Sequence, residues 1–90
     1  MRVTVHYLTQ LKRALGKSAE EINTPFGASL TDLLRLLADR HDAAFRGMLF
    51  DDAGQPRKSL LFFVGDEHAD LARPLADGDV VTILAPMSGG

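Results

Sequence analysis

The pair Gly89-Gly90 at the end of the sequence is the feature with the clearest chemical use. Neither residue carries a β-carbon, so their backbone can enter a channel too narrow for ordinary side chains. A carboxylate on Gly90 would stand at the tip of a mobile arm, where another enzyme could activate it without disturbing a folded core. The pair by itself is equally compatible with a simple flexible end, so the preceding elements have to decide between the two interpretations.

Three histidines, His6, His41 and His68, are the side chains best suited to bind a metal. They fall on different predicted elements, and no two have the four-residue spacing that places metal ligands on one helical face. The sequence contains no cysteine, which excludes disulfides, thiolate nucleophiles and Cys-ligated zinc or iron–sulfur clusters. We therefore expect no metal site, and histidines that are exposed or partly buried.

Two pairs of carboxylates, Asp51-Asp52 and Asp66-Glu67, could be imagined as a general acid and base. Such chemistry needs the pair to face a cleft, but both pairs lie in predicted turns of a 90-residue chain with room for one core. Ser88 lacks the strand–turn–helix setting of a serine nucleophile. We therefore expect neither the carboxylate pairs nor Ser88 to be catalytic.

Charge and hydropathy exclude further classes of function. The net charge of −2 and the lack of a basic face argue against nucleic-acid binding. No apolar run approaches the length of a membrane span and no signal peptide is visible, so a cytoplasmic protein is expected. From residue 51 onward the sequence contains seven acidic residues and three basic ones, and this acidic excess favours steering toward a basic partner surface.

Periodicity of two predicts the strands. Residues 2–8 alternate, with Val3, Val5 and Tyr7 directed to the core. A polar strand with Ile22 inward is predicted at 18–24, and a weak, exposed one at 67–71. The apolar run 60–64 predicts an interior strand covered on both faces. Residues 79–85 alternate again and predict the last strand.

Helical periodicity is strongest after Ser29. A capping box formed by Ser29 and Asp32 precedes an apolar stripe with helical spacing, which predicts a helix from Leu30 to about Arg40. The members of the stripe are Leu30, Leu33, Leu34, Leu37 and Ala38. A shorter helix is predicted at 10–15, capped by Thr9 and stopped by Gly16. Helix can continue through 43–45 until Gly47 interrupts it.

The order of these elements indicates an α+β fold. One main helix packs across one face of a mixed sheet of four or five strands, and the last strand can lie parallel beside the first in the centre.

Apolar residues on the other face of such a sheet would form an exposed patch, which usually marks an interaction site. Period two forces Phe62 and Phe63 to opposite faces, so one of them is expected to look outward. We predict that this phenylalanine joins Val80 and Leu84 in a partner-docking patch that leads to the tail. A strand fully covered at the edge of the core remains the alternative.

Three segments together resemble the ubiquitin-like β-grasp sulfur carriers of the MoaD/ThiS family, typified by the small subunit of molybdopterin synthase. They are the capped helix start Ser29-Leu30-Thr31-Asp32-Leu33-Leu34, the turn and strand from Leu75 to Val81, and the Pro-x-Ser-Gly-Gly end from Pro86 to Gly90. The resemblance covers nearly the whole chain. It implies a β-grasp domain at 1–86 followed by a flexible tail at 87–90.

The resemblance also implies a mechanism. A partner enzyme resembling MoeB or ThiF would adenylate the Gly90 carboxylate with ATP, and a persulfide donor protein would convert it to a thiocarboxylate. Pro86, Met87, Ser88 and Gly89 would form the tail that carries it. The carrier would not be an enzyme itself and would bind no cofactor stably, and a large synthase subunit resembling MoaE is an expected partner.

Two questions stay open on the sequence. The same tail would serve a ubiquitin-like modifier joined to lysines, or a non-catalytic binding module. The molybdopterin pathway is favoured by the Pro-x-Ser-Gly-Gly end and the chain length, but thiamine, cysteine and tRNA thiolation use similar carriers.

Overall fold

A five-stranded mixed sheet with helices on one side forms the frame of the molecule. The computed structural model describes residues 1–85. The strands are β1 (Arg2–Tyr7), β2 (Ala19–Asn23), β3 (Leu61–Val64), β4 (Glu67–Ala69) and β5 (Val80–Leu84). Their order across the sheet is β2-β1-β5-β3-β4. β1 and β5 run parallel, and the other neighbouring pairs run antiparallel.

The last strand lies in the centre of the sheet beside the first, as the sequence predicted. The register aligns Val5 with Val81 and Tyr7 with Ile83, and all four side chains are fully buried. The alternation expected in both strands is therefore confirmed, because one face of each strand points into the core.

The helices cover one face of this sheet. They are α1 (Thr9–Leu15), α2 (Leu30–Arg40) and α3 (Ala43–Leu49). The capping box of α2 is present: the Asp32 N–H donates to Ser29 Oγ at 3.3 Å, and the Ser29 N–H donates to Asp32 Oδ2 at 2.9 Å. The predicted apolar stripe of α2 is buried along its whole length. No helix within residues 1–85 is long and apolar enough to cross a membrane.

Gly47 does not interrupt a helix, contrary to the sequence prediction. It lies inside α3, which begins after Asp42, whose side chain accepts a hydrogen bond from the Phe45 N–H at 3.0 Å. A glycine costs a helix interior about 1 kcal/mol relative to alanine. Phe45 and Leu49, one helical turn apart, are both buried in the core, and this packing outweighs the cost.

β3 is not covered on both faces, which corrects the interpretation of its continuous apolar run. Phe62 and Val64 are buried, but Leu61 is 37% exposed and Phe63 is half-buried. The helices all lie on the side of the sheet that Phe62 faces. Within the described part of the chain the other side of β3 is left open to solvent.

The carboxylate of Glu20 ties the edge strand β2 to the end of α2. Its side chain is 6% exposed, and it accepts a hydrogen bond from the Tyr7 hydroxyl. Arg40 Nε lies 3.0 Å and His41 Nε2 2.7 Å from its oxygens, and Lys17 Nζ lies 3.7 Å away. Burial by itself raises the pKa of Glu20, but the hydrogen bonds and positive charges outweigh burial and hold it below its ordinary value. Burial and the bond to Glu20 raise the pKa of Tyr7.

Replacing Glu20 with Gln keeps the shape of this side chain and removes its charge. We expect E20Q to lower the free energy of unfolding at neutral pH by about 1–3 kcal/mol, because the hydrogen bonds lose their charge assistance. The folded-state pKa of Glu20 is depressed, so its stabilisation is present above the unfolded-state pKa of about 4.3 and is lost as pH falls through the folded-state value. The difference between wild type and E20Q in urea unfolding should therefore shrink on acidification.

The matched control is Glu21→Gln. Glu21 is the exposed neighbour of Glu20 and pairs with Arg2 at 3.6 Å on the surface. It should cost less than about 0.5 kcal/mol at any pH. An E20Q effect that is the same at acid and neutral pH would contradict the role given to the carboxylate.

Candidate functional site

The site begins where β5 ends. The predicted tail residues Pro86, Met87, Ser88, Gly89 and Gly90 lie outside the described residues, so the structure shows how the chain is held up to Ala85. Ala85 is 8% exposed. The Leu8 N–H donates to the Ile83 carbonyl at 3.2 Å, which continues the parallel pairing one residue beyond β1. Ala85, which we call the root of the tail, is thus held by the central strands of the sheet.

Thr9 holds Ala85 through its side chain. The Thr9 hydroxyl donates to the Ala85 carbonyl at 3.0 Å, a contact between residues 76 positions apart. Thr9 has a φ of +52°, in the left-handed region that β-branched residues rarely adopt. The sequence assigned this residue to capping α1. Instead it is the first residue of α1, and the capping position is taken by Leu8, which makes no side-chain cap.

Substitutions at Thr9 test this bond. We expect Thr9→Ala to lower the free energy of unfolding by about 1 kcal/mol, because the Ala85 carbonyl loses a partly buried donor. Thr9→Ser should retain most of that stability, since it keeps the hydroxyl. Both variants remove the β-branch, so the difference between them in denaturant unfolding isolates the hydrogen bond. Equal stability of the two variants would contradict its contribution.

An apolar patch lies on the open face of the sheet and reaches the end of β5. We call it the open-face patch, and its members are Leu8, Leu61, Phe63, Val80 and Leu84. Three of them, Leu8, Leu61 and Val80, are 42%, 37% and 39% exposed, and the other two are half-buried. Leu61 pairs directly with Leu84 across β3 and β5. The Phe63 ring packs edge-on against His68, with their centroids 5.6 Å apart.

The structure decides which of the two phenylalanines faces outward. Phe62 is 4% exposed and lies in the core, whereas Phe63 lies on the open face with Val80 and Leu84. Sequence reasoning missed Leu61 and Leu8. The alternation of β3 and β1 contained the signal, because Leu61 shares a face with Phe63 and Leu8 follows the inward Tyr7. That these residues dock a partner stays a prediction.

Clusters of acidic and of basic residues lie at opposite ends of β5. Asp66, Asp77 and Asp79 lie near its start, where the Gly65 N–H donates to the Val80 carbonyl and the Thr4 N–H to the Asp79 carbonyl, each at 2.9 Å. The basic residues of α1 and the turn after it lie at its end. They are Lys12, Arg13 and Lys17. These three acidic residues of the C-terminal half therefore lie at the end of β5 opposite to the tail.

The structure does not bring the other candidate residues together. His6 and His68 are exposed on the open-face side, and His41 bonds to Glu20 on the helix side. Within residues 1–85 no three His, Cys, Asp or Glu side chains are placed to hold a metal ion. In the loop after α3, the Asp51 carboxylate accepts hydrogen bonds from the backbone of its own turn.

The fold and the position of the last strand define a ubiquitin-like protein with a β-grasp fold. The family model described as the ThiS family matches residues 5–90, and the chain belongs to this family. The resemblance to the MoaD/ThiS family seen in the sequence is thereby confirmed. No curated protein matches the chain significantly.

Three solved structures illustrate the similarity. SAMP1 from Haloferax volcanii is 23% identical over the full length of both chains, with a TM-score of 0.90. A protein from Pyrococcus furiosus assigned as molybdopterin converting factor subunit 1 is 27% identical, with 97% of this chain and 99% of that chain covered and a TM-score of 0.75. CysO from Mycobacterium tuberculosis is 28% identical, with 92% and 97% covered and a TM-score of 0.67. The first of these supports the fold alone.

Proposed function

We propose that this protein is a sulfur carrier whose reactive group is the carboxylate of Gly90. The single observation that carries the proposal is the ThiS family match, which covers residues 5–90 and so includes Gly89 and Gly90. The carrier supplies a reactive end, reach and a docking face. The acid–base chemistry and the ATP belong to its partners, so the carrier is not an enzyme.

The chemistry proceeds in two stages on partner proteins. In an activating enzyme of the MoeB or ThiF type, an oxygen of the Gly90 carboxylate attacks the α-phosphorus of ATP. Pyrophosphate leaves, and Gly90 becomes an acyl-adenylate. The terminal sulfur of a persulfide donor then attacks the acyl carbon and AMP leaves. A thiol cleaves the resulting acyl disulfide and releases the thiocarboxylate, whose sulfur passes to an acceptor.

The held root of the tail suits this role. Ala85 is anchored by β5 and by Thr9, and five residues follow it in the sequence. Five fully extended residues span at most about 18 Å. A tail of that reach enters a narrow active site while the folded core stays outside, and Gly89 and Gly90 add no side chain to obstruct it.

The open-face patch is the proposed docking surface for these partners. Exposed apolar side chains that cluster at one place usually mark an interaction site, and this cluster adjoins the end of β5. The similarity to a protein assigned as a molybdopterin converting factor subunit favours a synthase subunit of the MoaE type as one such partner, and molybdenum cofactor biosynthesis as the pathway.

Mass spectrometry of the intact chain tests the proposed chemistry. We expect incubation with ATP, a persulfide donor and the activating enzyme of the same organism to exchange one terminal oxygen for sulfur. A variant that lacks Gly90 should show no change, because its carboxylate falls one residue short of the site. An unchanged wild-type mass with an enzyme that is active on its own carrier would overturn the proposal. Attachment to a lysine of another protein would instead identify a modifier.

A double substitution on the open face tests the docking surface. We expect Leu61→Ala combined with Phe63→Ala to weaken binding to the activating enzyme by roughly tenfold to a hundredfold, because buried aromatic and aliphatic anchors carry most interface energy. Titration calorimetry measures the change. The control is Phe26→Ala, which removes an 82% exposed phenylalanine from the loop between β2 and α2. If the two variants bind the activating enzyme with equal affinity, the patch is not part of the interface.

A further inference from the structure

We infer that α1 and the turn after it present a basic docking face to an acidic protein surface at the entrance of the channel that takes up the tail. This basic face consists of Lys12, Arg13 and Lys17. The inference rests on the proposed function. It specifies that the partner surface is acidic and that α1 and the turn after it contact that surface.

The basic face is locally uncompensated. The segment 9–19 contains three basic residues and no acidic one, and all three basic side chains are exposed. Within residues 1–85, Lys12 and Arg13 have no carboxylate within ion-pair distance. Lys17 lies 3.7 Å from Glu20. That carboxylate is already neutralised by Arg40 at 3.0 Å, so the face keeps a net positive charge.

The basic face is continuous with the root of the tail. Lys12, Arg13 and Lys17 line one shallow depression together with Thr9. Thr9 is the residue whose hydroxyl holds the Ala85 carbonyl at 3.0 Å. A partner that draws the tail into a channel therefore meets this positive surface beside the channel entrance.

Acidic residues at the opposite end of β5 help to orient this chain on an acidic partner. Asp66 and Asp77 are exposed there, while the nearby Glu67 pairs with Arg73 at 3.1 Å. An acidic entrance attracts the end of the sheet where the tail begins and repels the other end. Such complementarity acts mainly on the rate of association and the orientation of the encounter.

An acidic protein surface fits these observations better than a polyanion. The net charge of the whole chain is −2, whereas nucleic-acid binding draws on a broad basic surface. The basic face also lies at the end of the sheet where the apolar open-face patch includes Leu8 and Leu84, the combination of apolar core and charged rim found in protein interfaces.

Stopped-flow association with the purified activating enzyme of the same organism tests the inference. The test variant is Lys12→Glu with Arg13→Glu, and the control is Arg2→Glu with Arg35→Glu. Both doubles have the same net charge, and the control residues are exposed, Arg2 at the start of β1 and Arg35 within α2. We expect the test variant to associate about tenfold more slowly at low ionic strength, and the control to stay within about twofold of wild type. Added salt should remove most of the difference.

A milder variant guards against damage to α1. Lys12→Gln with Arg13→Gln keeps polar side chains of similar length, and it should slow association by an intermediate factor. Circular dichroism and the unfolding midpoint establish that each variant is folded. The inference is overturned if the test and control doubles slow association equally, or if neither slows it. It is also overturned if the test double associates at the wild-type rate but binds an oligonucleotide or anionic lipid vesicles more weakly.

The outcomes separate this inference from the function it rests on. If wild type acquires sulfur and the Glu double associates as fast as wild type, the basic face is wrong and the sulfur carrier stands. If wild type acquires no sulfur with a competent enzyme, the proposed function is wrong, and the docking role inferred for the basic face is wrong with it.

Discussion

The parallel pairing of β1 and β5 is the constraint on which the rest of the structure depends. It joins residues about 76 positions apart and places Val5 beside Val81 in a fully buried centre. A parallel pair cannot be closed by a hairpin, so the chain between them has to cross over, and it does so through α2 and α3 on one face. Because β5 is central, the chain reaches Ala85 in the middle of one end of the sheet, with Leu8 and Thr9 beside it.

Coverage on one side only follows from this arrangement and gives the two faces different roles. On the helix side the apolar stripe of α2 and the bonded cluster around Glu20 join helix and sheet. On the open side apolar residues remain accessible in the described part of the chain. Three members of the open-face patch, Leu8, Leu61 and Leu84, lie at the end of β5 with the basic residues of α1, and Asp66, Asp77 and Asp79 lie at its start. The surfaces that we propose for partner recognition thus adjoin the residue after which the tail begins.

Local patterns predicted the elements well where the deciding physics is local. The Ser29–Asp32 capping box and the stripe of α2 depend on contacts three or four residues apart, and both are present as predicted. Gly47 and Thr9 were misjudged because tertiary contacts decide them: buried Phe45 and Leu49 hold Gly47 in a helix, and the Ala85 carbonyl takes the hydroxyl of Thr9. The run in β3 was misjudged because the number of covering layers is not a local property.

The sequence by itself determined the α+β fold, the family and the diglycine end, because periodicity, capping and motif spacing are written in the order of residues. Only the tertiary structure decided that Phe63 and not Phe62 faces outward, that Leu8 and Leu61 join it, and that basic residues adjoin the root of the tail. The physical reason is that exposure and charge proximity depend on which strands become neighbours. The proposed use of Gly89-Gly90 draws on this placement, since the sheet brings the proposed docking surfaces to the end of β5.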